Sequence, residues 1–261
     1  MKNLFLKFND SYKMAGTLFI LMMFSIVIFM AVGCNATNAN EEKTPQSTGS
    51  GWGPDRETYT VAEPADHVTF NSITDNPQLG DERNFVRIKE DSETTTYTDN
   101  VTLEPGKVYQ VMVYYHNNAE SNLNDSGVGI AKNTTLKMEV PGVVKAGVKA
   151  VFTGTINSSN ANPASVYDEA YGTNETSGDV ALRYVSGSAT VGSNGAVDKA
   201  TLPDSLFTTG TNLGYDSLDG VIPGCNEYSG YVIFKIRVDQ PNFTVSNEVH
   251  KTSVEGWKVS A

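Results

Sequence analysis

The chain has 261 residues, 19 of them basic and 30 acidic, which gives a formal net charge of −11. An acidic surface repels phosphate backbones, so this composition argues against nucleic acid as a partner. Only two cysteines are present, too few for a disulfide-dense scaffold, and the chain is long enough to bury a core without one.

The first predicted element is a membrane-spanning or signal helix over residues 14–33. These 20 residues are apolar and carry no charge, and at a rise of ~1.5 Å per residue they cover a ~30 Å hydrocarbon core. Lys2, Lys7 and Lys13 precede the run, and basic flanks stay in the cytoplasm. We therefore expect a cytoplasmic tail at 1–13, a cell-membrane location, and a chain that is mostly extracytoplasmic.

Two forms of the anchor fit this stretch. One is an uncleaved signal anchor, and the other is a signal peptide that is cut before a lipidated Cys34. The string Ala31-Val32-Gly33-Cys34 resembles a bacterial lipobox, although Ala31 replaces the usual Leu. The apolar core is also longer than the ~7–15 residues of a typical cleaved signal. If Cys34 is lipidated or lies in the membrane, Cys225 has no partner for a disulfide.

Residues 34–53 are predicted to be a flexible stalk, because they are rich in Asn, Thr, Ser, Gly and Glu. Residues 54–100 follow as a β extension. Short strands are expected there near 59–61, 68–70 and 85–88. The extension is too short for a core of its own, so we expect it to pack on the next domain.

Residues 101–261 are predicted to form an antiparallel β-sandwich. Apolar residues alternate with polar ones at a period of two, which is typical of half-buried strands. Turn-forming residues separate the strands, and no helical stripe is present. The predicted strands are 107–116, 135–140, 148–156, 181–191 (interrupted by Gly187) and 231–238. The longer connections, 157–178 and 202–227, are interpreted as loops where recognition would be built.

The series EPGKVYQVMVYYHNNAESN, TTLKMEVP, LRYVSGSATV and GYVIFKIRV resembles the bacterial "conserved repeat domain". That family is a domain of unknown function with an immunoglobulin-like fold, found in cell-surface proteins. The resemblance covers roughly 101–239 and a single copy, with a long insert near 157–176. It implies an immunoglobulin-like sandwich with a structural or adhesive surface role, and it supplies no catalytic residues.

The sequence offers little catalytic chemistry. His67, His116 and His250 lack the spacing of a zinc enzyme, and His116 is interpreted as an ordinary strand-end residue. Cys225 could act as a nucleophile near His116, but a structural or tolerated thiol is the favoured interpretation. The prediction is a protein that is not an enzyme.

Calcium is the one cofactor considered. Asp216, Asp219, Asn124 and Asp125 supply hard oxygens on loops, and the alternative is that these side chains form turns. Asp216 and Asp219 could also flank a glycosidic bond. An intramolecular isopeptide bond needs a buried lysine, and the alternation places Lys235 on the polar face.

Three functions stay open. The leading one is a membrane-tethered surface protein with a structural, adhesive or binding role, whose partner is an unknown extracellular protein or glycan. The second is a carbohydrate-binding or carbohydrate-active envelope protein, because Trp52 and Trp257 could stack on sugars. The third is a subunit of a surface assembly joined through exposed strand edges.

Overall fold

The computed structural model describes residues 51–240. This part of the chain is built of β-strands in two sheets, with short 3-10 turns and no α-helix. The strands are β1 Val86–Glu90, β2 Asn100–Thr102, β3 Val108–Tyr115, β4 Thr135–Glu139, β5 Val143–Val144, β6 Lys149–Asn157, β7 Ser165–Thr173, β8 Val180–Tyr184, β9 Thr190–Ser193, β10 Thr211–Asn212 and β11 Gly230–Asp239. The 3-10 turns are Ser121–Leu123, Asp204–Phe207 and Asn226–Tyr228.

The two sheets pack face to face around one apolar core. The first has the order β1-β3-β11-β8-β5, with β9 also paired to β11, and the second has the order β10-β4-β6-β7-β2. Every strand pair is antiparallel except β2 with β7. Gly154 of β6 lies so close to the facing sheet that a Cβ there would be 2.7 Å from Val86 Cγ2. The predicted all-β class is confirmed.

The period-two pattern places the strands correctly where apolar residues fill one face. On β11, Val232, Phe234 and Ile236 are fully buried, whereas Lys235 on the other face reaches Asp91 with an Nζ–Oδ2 distance of 2.7 Å. The predicted strand 181–191 is two strands, β8 and β9. Gly187 has φ +74° in the turn between them, a conformation that glycine adopts without steric cost.

Residues 157–178 are not a loop, contrary to the prediction, because they contain the nine-residue strand β7. This strand pairs with β6 along its whole length and with β2 on its other side. Its inward face carries Val166, Asp168 and Ala170, all at most 1% exposed. A charged residue and a small residue at inward positions weaken the apolar alternation that the sequence analysis relied on.

The N-terminal segment is more integrated than its composition indicates. Gly53, placed in the stalk by the sequence, exchanges backbone hydrogen bonds with Tyr167 of β7 at 2.9 and 2.7 Å. Within the predicted extension, β1 pairs with β3 along all five of its residues, so it is a strand of the first sheet. Residues 51–240 contain no helix long and apolar enough to cross a bilayer, and the predicted helix at 14–33 lies outside this range.

The edges of both sheets are short or covered. β2, β5 and β10 have three, two and two residues. The free edge of β1 is bridged by Thr98, which exchanges two backbone hydrogen bonds with Ile88. Short and covered edges hinder the addition of a strand from another molecule.

Asp168 is a buried carboxyl group in the middle of β7. Its Oδ2 accepts a 2.6 Å hydrogen bond from the Val86 amide, and the side chain is in the core between the sheets. Burial raises the pKa of Asp168 to about 7 from an ordinary value of 3.8, against the opposing effect of its backbone hydrogen bonds. Desolvation of the charged form therefore outweighs the hydrogen bonds that favour it.

The aromatic cluster at the end of the core predicts a large loss of stability for Phe234→Ala. Phe234 is fully buried, and its ring lies 5.1 Å from that of Phe207 and 6.5 Å from that of Tyr184. We expect the substitution to lower the free energy of unfolding by about 3–5 kcal/mol, measured by urea denaturation. Val128→Ala, at a residue 57% exposed, is the control. A loss in F234A as small as that in V128A would contradict this packing.

The raised pKa of Asp168 predicts that the folded chain becomes less stable as the pH rises. Between pH 3.8 and about 7 the folded chain binds more protons than the unfolded chain. The free energy of unfolding should therefore fall as the pH rises through this window, by at most about 1.4 kcal/mol per pH unit from this residue. Asp168→Asn should remove this contribution, because the amide does not titrate and can still accept from Val86. The exposed Asp125→Asn control should keep it, and an unchanged slope in D168N would disprove the assignment.

Candidate functional site: a pocket beside His116

A cluster of buried polar side chains lies where β3 ends. Residues 116–118 leave the first sheet there and meet two other segments, the loop 65–82 of the extension and the loop 222–226 before β11. Their side chains are almost completely removed from water: His116 is 3% exposed, Asn117 0% and Asn118 1%. Polar groups at such depth need hydrogen-bond partners.

Glu82 is the charged centre of this cluster. Its side chain is fully buried, and its carboxylate oxygens accept from three side chains. Asn76 Nδ2 lies 2.7 Å from Oε1, Asn118 Nδ2 lies 2.8 Å from Oε2, and His116 Nδ1 lies 2.9 Å from Oε1. These three donors compensate for the water that the carboxylate loses on folding.

The contact with Glu82 fixes the tautomer of His116. Because a carboxylate can only accept, Nδ1 carries the proton, and the Asn118 amide, also 2.9 Å from Nδ1, donates to Oε2 of Glu82. The other ring nitrogen, Nε2, therefore keeps a lone pair in the neutral ring. Nε2 is buried and has no hydrogen-bond partner.

The side chains of Asn117 and Asn118 make hydrogen bonds to backbone groups of neighbouring loops. Asn117 Nδ2 donates to the carbonyl oxygens of Gly129 and Ile222 at 2.8 and 2.9 Å. Asn118 Oδ1 accepts from the Ser72 amide at 2.5 Å. The two consecutive amides thereby hold three separate loops against the end of β3.

Asn71 supports the same end of the strand from the extension. Its side chain donates to the carbonyl of Tyr114 at 2.9 Å and accepts from the amide of His116 at 2.8 Å. Its backbone has φ +48°, a left-handed conformation that asparagine tolerates better than most residues. The extension is thus hydrogen-bonded to the sandwich by backbone and side chain together.

A small pocket opens beside this cluster, with a cavity volume of about 30 Å³. Its apolar wall consists of Val61, Pro64, Ile73, Pro77 and Ala119. His116, Glu82 and Asn118 form a polar part of the lining. The pocket therefore combines an apolar wall with a small number of fixed polar groups, the usual composition of a ligand site.

Tyr114 adds a second aromatic ring behind the histidine. The rings of Tyr114 and His116 meet edge to face, 6.2 Å between centroids. Burial raises the pKa of Tyr114 well above its ordinary value, and the negative charge of Glu82 adds to this effect. The phenol of Tyr114 therefore stays neutral.

Cys225 lines the pocket and is disulfide-bonded, so the interpretation of this residue as a thiol was wrong. Its backbone has φ +102°, a strained conformation for a residue with a Cβ. Hydrogen bonds from its amide to Asn117 O and from Tyr228 N to its carbonyl hold it there, at 3.1 and 3.0 Å. Cys34, the only other cysteine in the sequence, lies outside the described residues, and its lipidation stays a prediction.

Two of the residues considered for calcium, Asn124 and Asp219, form hydrogen bonds with backbone groups. Asn124 is paired with the backbone of Gly224 through its side-chain amide and oxygen, at 2.9 and 2.8 Å. Asp219 Oδ1 accepts from the Val221 amide at 3.0 Å, and a hydrogen bond with Ser217 lowers the pKa of Asp219. Asp125 and Asp216 are exposed. Over residues 51–240, no group of three His, Cys, Asp or Glu side chains is placed to hold a metal, and calcium binding by these loops stays a prediction.

The remaining side chains named from the sequence lie elsewhere. His67 contacts Asp66 at the surface, with Nδ1–Oδ1 at 2.8 Å. The ring of Trp52 is covered by the guanidinium group of Arg83, 4.1 Å from its centroid. His250 and Trp257 lie outside the described residues.

Comparisons with protein families, with known proteins and with solved structures found no match to this chain.

The sequence analysis named His116 and Cys225 but missed Glu82 and Asn76. Both lie in the turn-rich loop before β1, 34 and 40 residues from His116 along the chain, and no spacing rule connects such positions. The single available indication was the pair Asn117 and Asn118, separated by one residue from the end of β3. Such side chains can replace the hydrogen bonds that the strand no longer makes.

The buried carboxylate predicts a large effect for Glu82→Ala. Removing it leaves the donors of Asn76, Asn118 and His116 buried without an acceptor, so we expect the free energy of unfolding to drop by about 3–5 kcal/mol. Urea denaturation provides the measurement, with the exposed Glu93→Ala as control. Glu82→Gln should have an intermediate effect, because its amide group faces other donors. An E82A variant as stable as E93A would show that the network contributes little.

Proposed function

We propose that this chain is a membrane-anchored extracytoplasmic protein of the bacterial cell surface, with a structural, adhesive or binding role and no catalysis. The observation that carries this proposal is the disulfide at Cys225. Disulfides form and persist outside the reducing cytosol. An extracytoplasmic location of Cys225 agrees with the basic residues ahead of the apolar stretch 14–33, because these residues favour a cytoplasmic N-terminus.

The contacts of the polar cluster support a non-catalytic role. A cysteine, a histidine and a carboxylate lie in the same pocket, as they do in enzymes with a thiol nucleophile. Here the sulfur of Cys225 is in a disulfide, and both oxygens of Glu82 are occupied by hydrogen-bond donors. The groups that could attack a substrate are therefore engaged in holding the fold.

The joined architecture supports a role as a rigid surface module. Buried hydrogen bonds connect the extension to the end of β3, so both parts of the chain keep a fixed geometry. The ordered series of strand motifs favours an immunoglobulin-like sandwich within the all-β class. Among the predicted roles, assembly by strand addition receives least support, because the described edges are short or bridged.

The test uses the oxidation state of the two cysteines in the natural membrane. Membranes are denatured without reductant and treated with a maleimide-linked polymer, and the mass of the full chain is read on a gel. We expect no adduct before reduction and two adducts after it, because a cysteine in a disulfide does not react. Two adducts before reduction, or recovery of the chain in the cytosolic fraction, would contradict an extracytoplasmic location.

The same gel decides between the two forms of the anchor. A sulfur that carries a lipid cannot form a disulfide. One adduct before reduction would therefore indicate a lipidated Cys34 and a reactive Cys225, and it would contradict the disulfide on which the location is argued. The role of the chain is tested separately. Deletion of the gene should alter adhesion or the envelope, and turnover of a glycan by the purified chain would contradict the non-catalytic role.

A further inference from the structure

We propose that the outer face of the first sheet binds a linear polysaccharide that carries carboxylate groups. This inference names a partner for the binding role proposed above, and it rests on that role only for the access of the chain to polymers outside the cell. Five basic side chains on three strands define this surface, called here the basic face: Arg87 and Lys89 on β1, Lys235 and Arg237 on β11, and Arg183 on β8.

The strand registers place these side chains on the same side of the sheet. Lys89 and Lys235 both lie opposite Gln110 of β3, and residues that are directly opposite each other share a face. Arg237 lies two residues further along β11 and directly opposite Arg183. The residues of β11 between these positions are buried, so the cations point away from the core.

The basic face has a surplus of positive charge on a chain whose net charge is −11. Among the described residues, two carboxylates lie within salt-bridge distance of its cations. Asp91 Oδ2 is 2.7 Å from Lys235 Nζ, and Asp239 Oδ1 is 2.7 Å from Arg237 Nε. Five cations and two carboxylates leave three positive charges unbalanced. A polyanion is therefore attracted to this face and repelled by the acidic remainder of the surface, which fixes its orientation.

The arginine pair on β8 and β11 provides a place for one carboxylate of the ligand. Like charges that are directly opposite each other on neighbouring strands repel. Arg237 donates from Nε and Nη2 to Asp239 at 2.7 and 3.1 Å, whereas Arg183 Nε is 3.8 Å from the same carboxylate. The Arg183 side chain is 65% exposed, so its planar group is accessible. A second carboxylate bound there would reduce the repulsion and receive charge-assisted hydrogen bonds.

The arrangement of the charges favours a linear polymer over an extended anionic surface. The cations follow a stripe from Lys89 through Lys235 to Arg183, across neighbouring strands that are ~4.8 Å apart. Asp91 and the exposed Glu93 lie in the loop that follows β1, beside one end of this stripe. A bilayer or a large acidic protein would approach these carboxylates as well as the cations. A single chain with regularly spaced carboxylates can follow the stripe and avoid them.

The binding test uses the full chain in micelles of a nonionic detergent. Polygalacturonate, a linear polymer with one carboxylate on each sugar, is titrated without divalent cations, and isothermal titration calorimetry gives the affinity. We expect binding that weakens about tenfold between about 50 and about 200 mM salt, because neutralising a polyanion releases its counterions. Dextran, which is neutral, should not bind.

The matched variants each remove one positive charge. Arg183→Gln changes the basic face, whereas Lys137→Gln changes β4 in the second sheet, at a side chain that is 38% exposed. We expect R183Q to weaken the binding of polygalacturonate about fivefold and K137Q to leave it unchanged, although both alter the net charge equally. Arg183→Lys should have an intermediate effect, because it keeps the charge and loses the planar group.

Two results would overturn the proposal. One is the absence of polygalacturonate binding at low salt, which would leave an anionic lipid or protein surface as the partner of the basic face. The other is equal weakening in R183Q and K137Q, which would show that net charge alone governs the binding. Neither result bears on the extracytoplasmic location, because cysteine labelling in membranes tests that location separately.

Discussion

The burial of the Glu82 carboxylate is the constraint on which the N-terminal half of this structure depends. A charge without water is tolerated only when donors surround it, and these donors come from both sides of the junction. Asn76 belongs to the extension, whereas His116 and Asn118 follow the central strand β3. None of these groups can be satisfied unless the extension is seated on the sandwich, so the ion and its partners specify one arrangement of the two parts.

The same constraint explains why a pocket exists there. The carboxylate oxygens of Glu82 and the side-chain oxygen of Asn118 already accept hydrogen bonds within the cluster. The residues that carry them line a space whose other wall is formed by aliphatic side chains. A rigid polar network thus fixes the junction between the two parts of the chain and leaves a pocket with an apolar wall beside it.

Particular residues show where the sequence was sufficient. On β11 every second residue is a large apolar one, and the strand was predicted almost to its ends. On β7 the inward positions include Asp168 and Ala170, and the strand was missed, because a buried acid hydrogen-bonded to the facing strand gives no apolar signal. The same reason hid Glu82, whose burial depends on partners that are distant along the chain.

The sequence by itself determined the all-β class, most strand positions, the turns at glycine and proline, and the absence of a recognisable catalytic motif. These properties are local, since alternation and turn chemistry depend on residues within a few positions of one another. Only the tertiary structure decided that Glu82, Asn76, His116 and Cys225 line one pocket and that β7 lies between β6 and β2 in the second sheet. Those features arise from contacts between distant segments, where the energy of a buried polar group depends on what the fold brings to it.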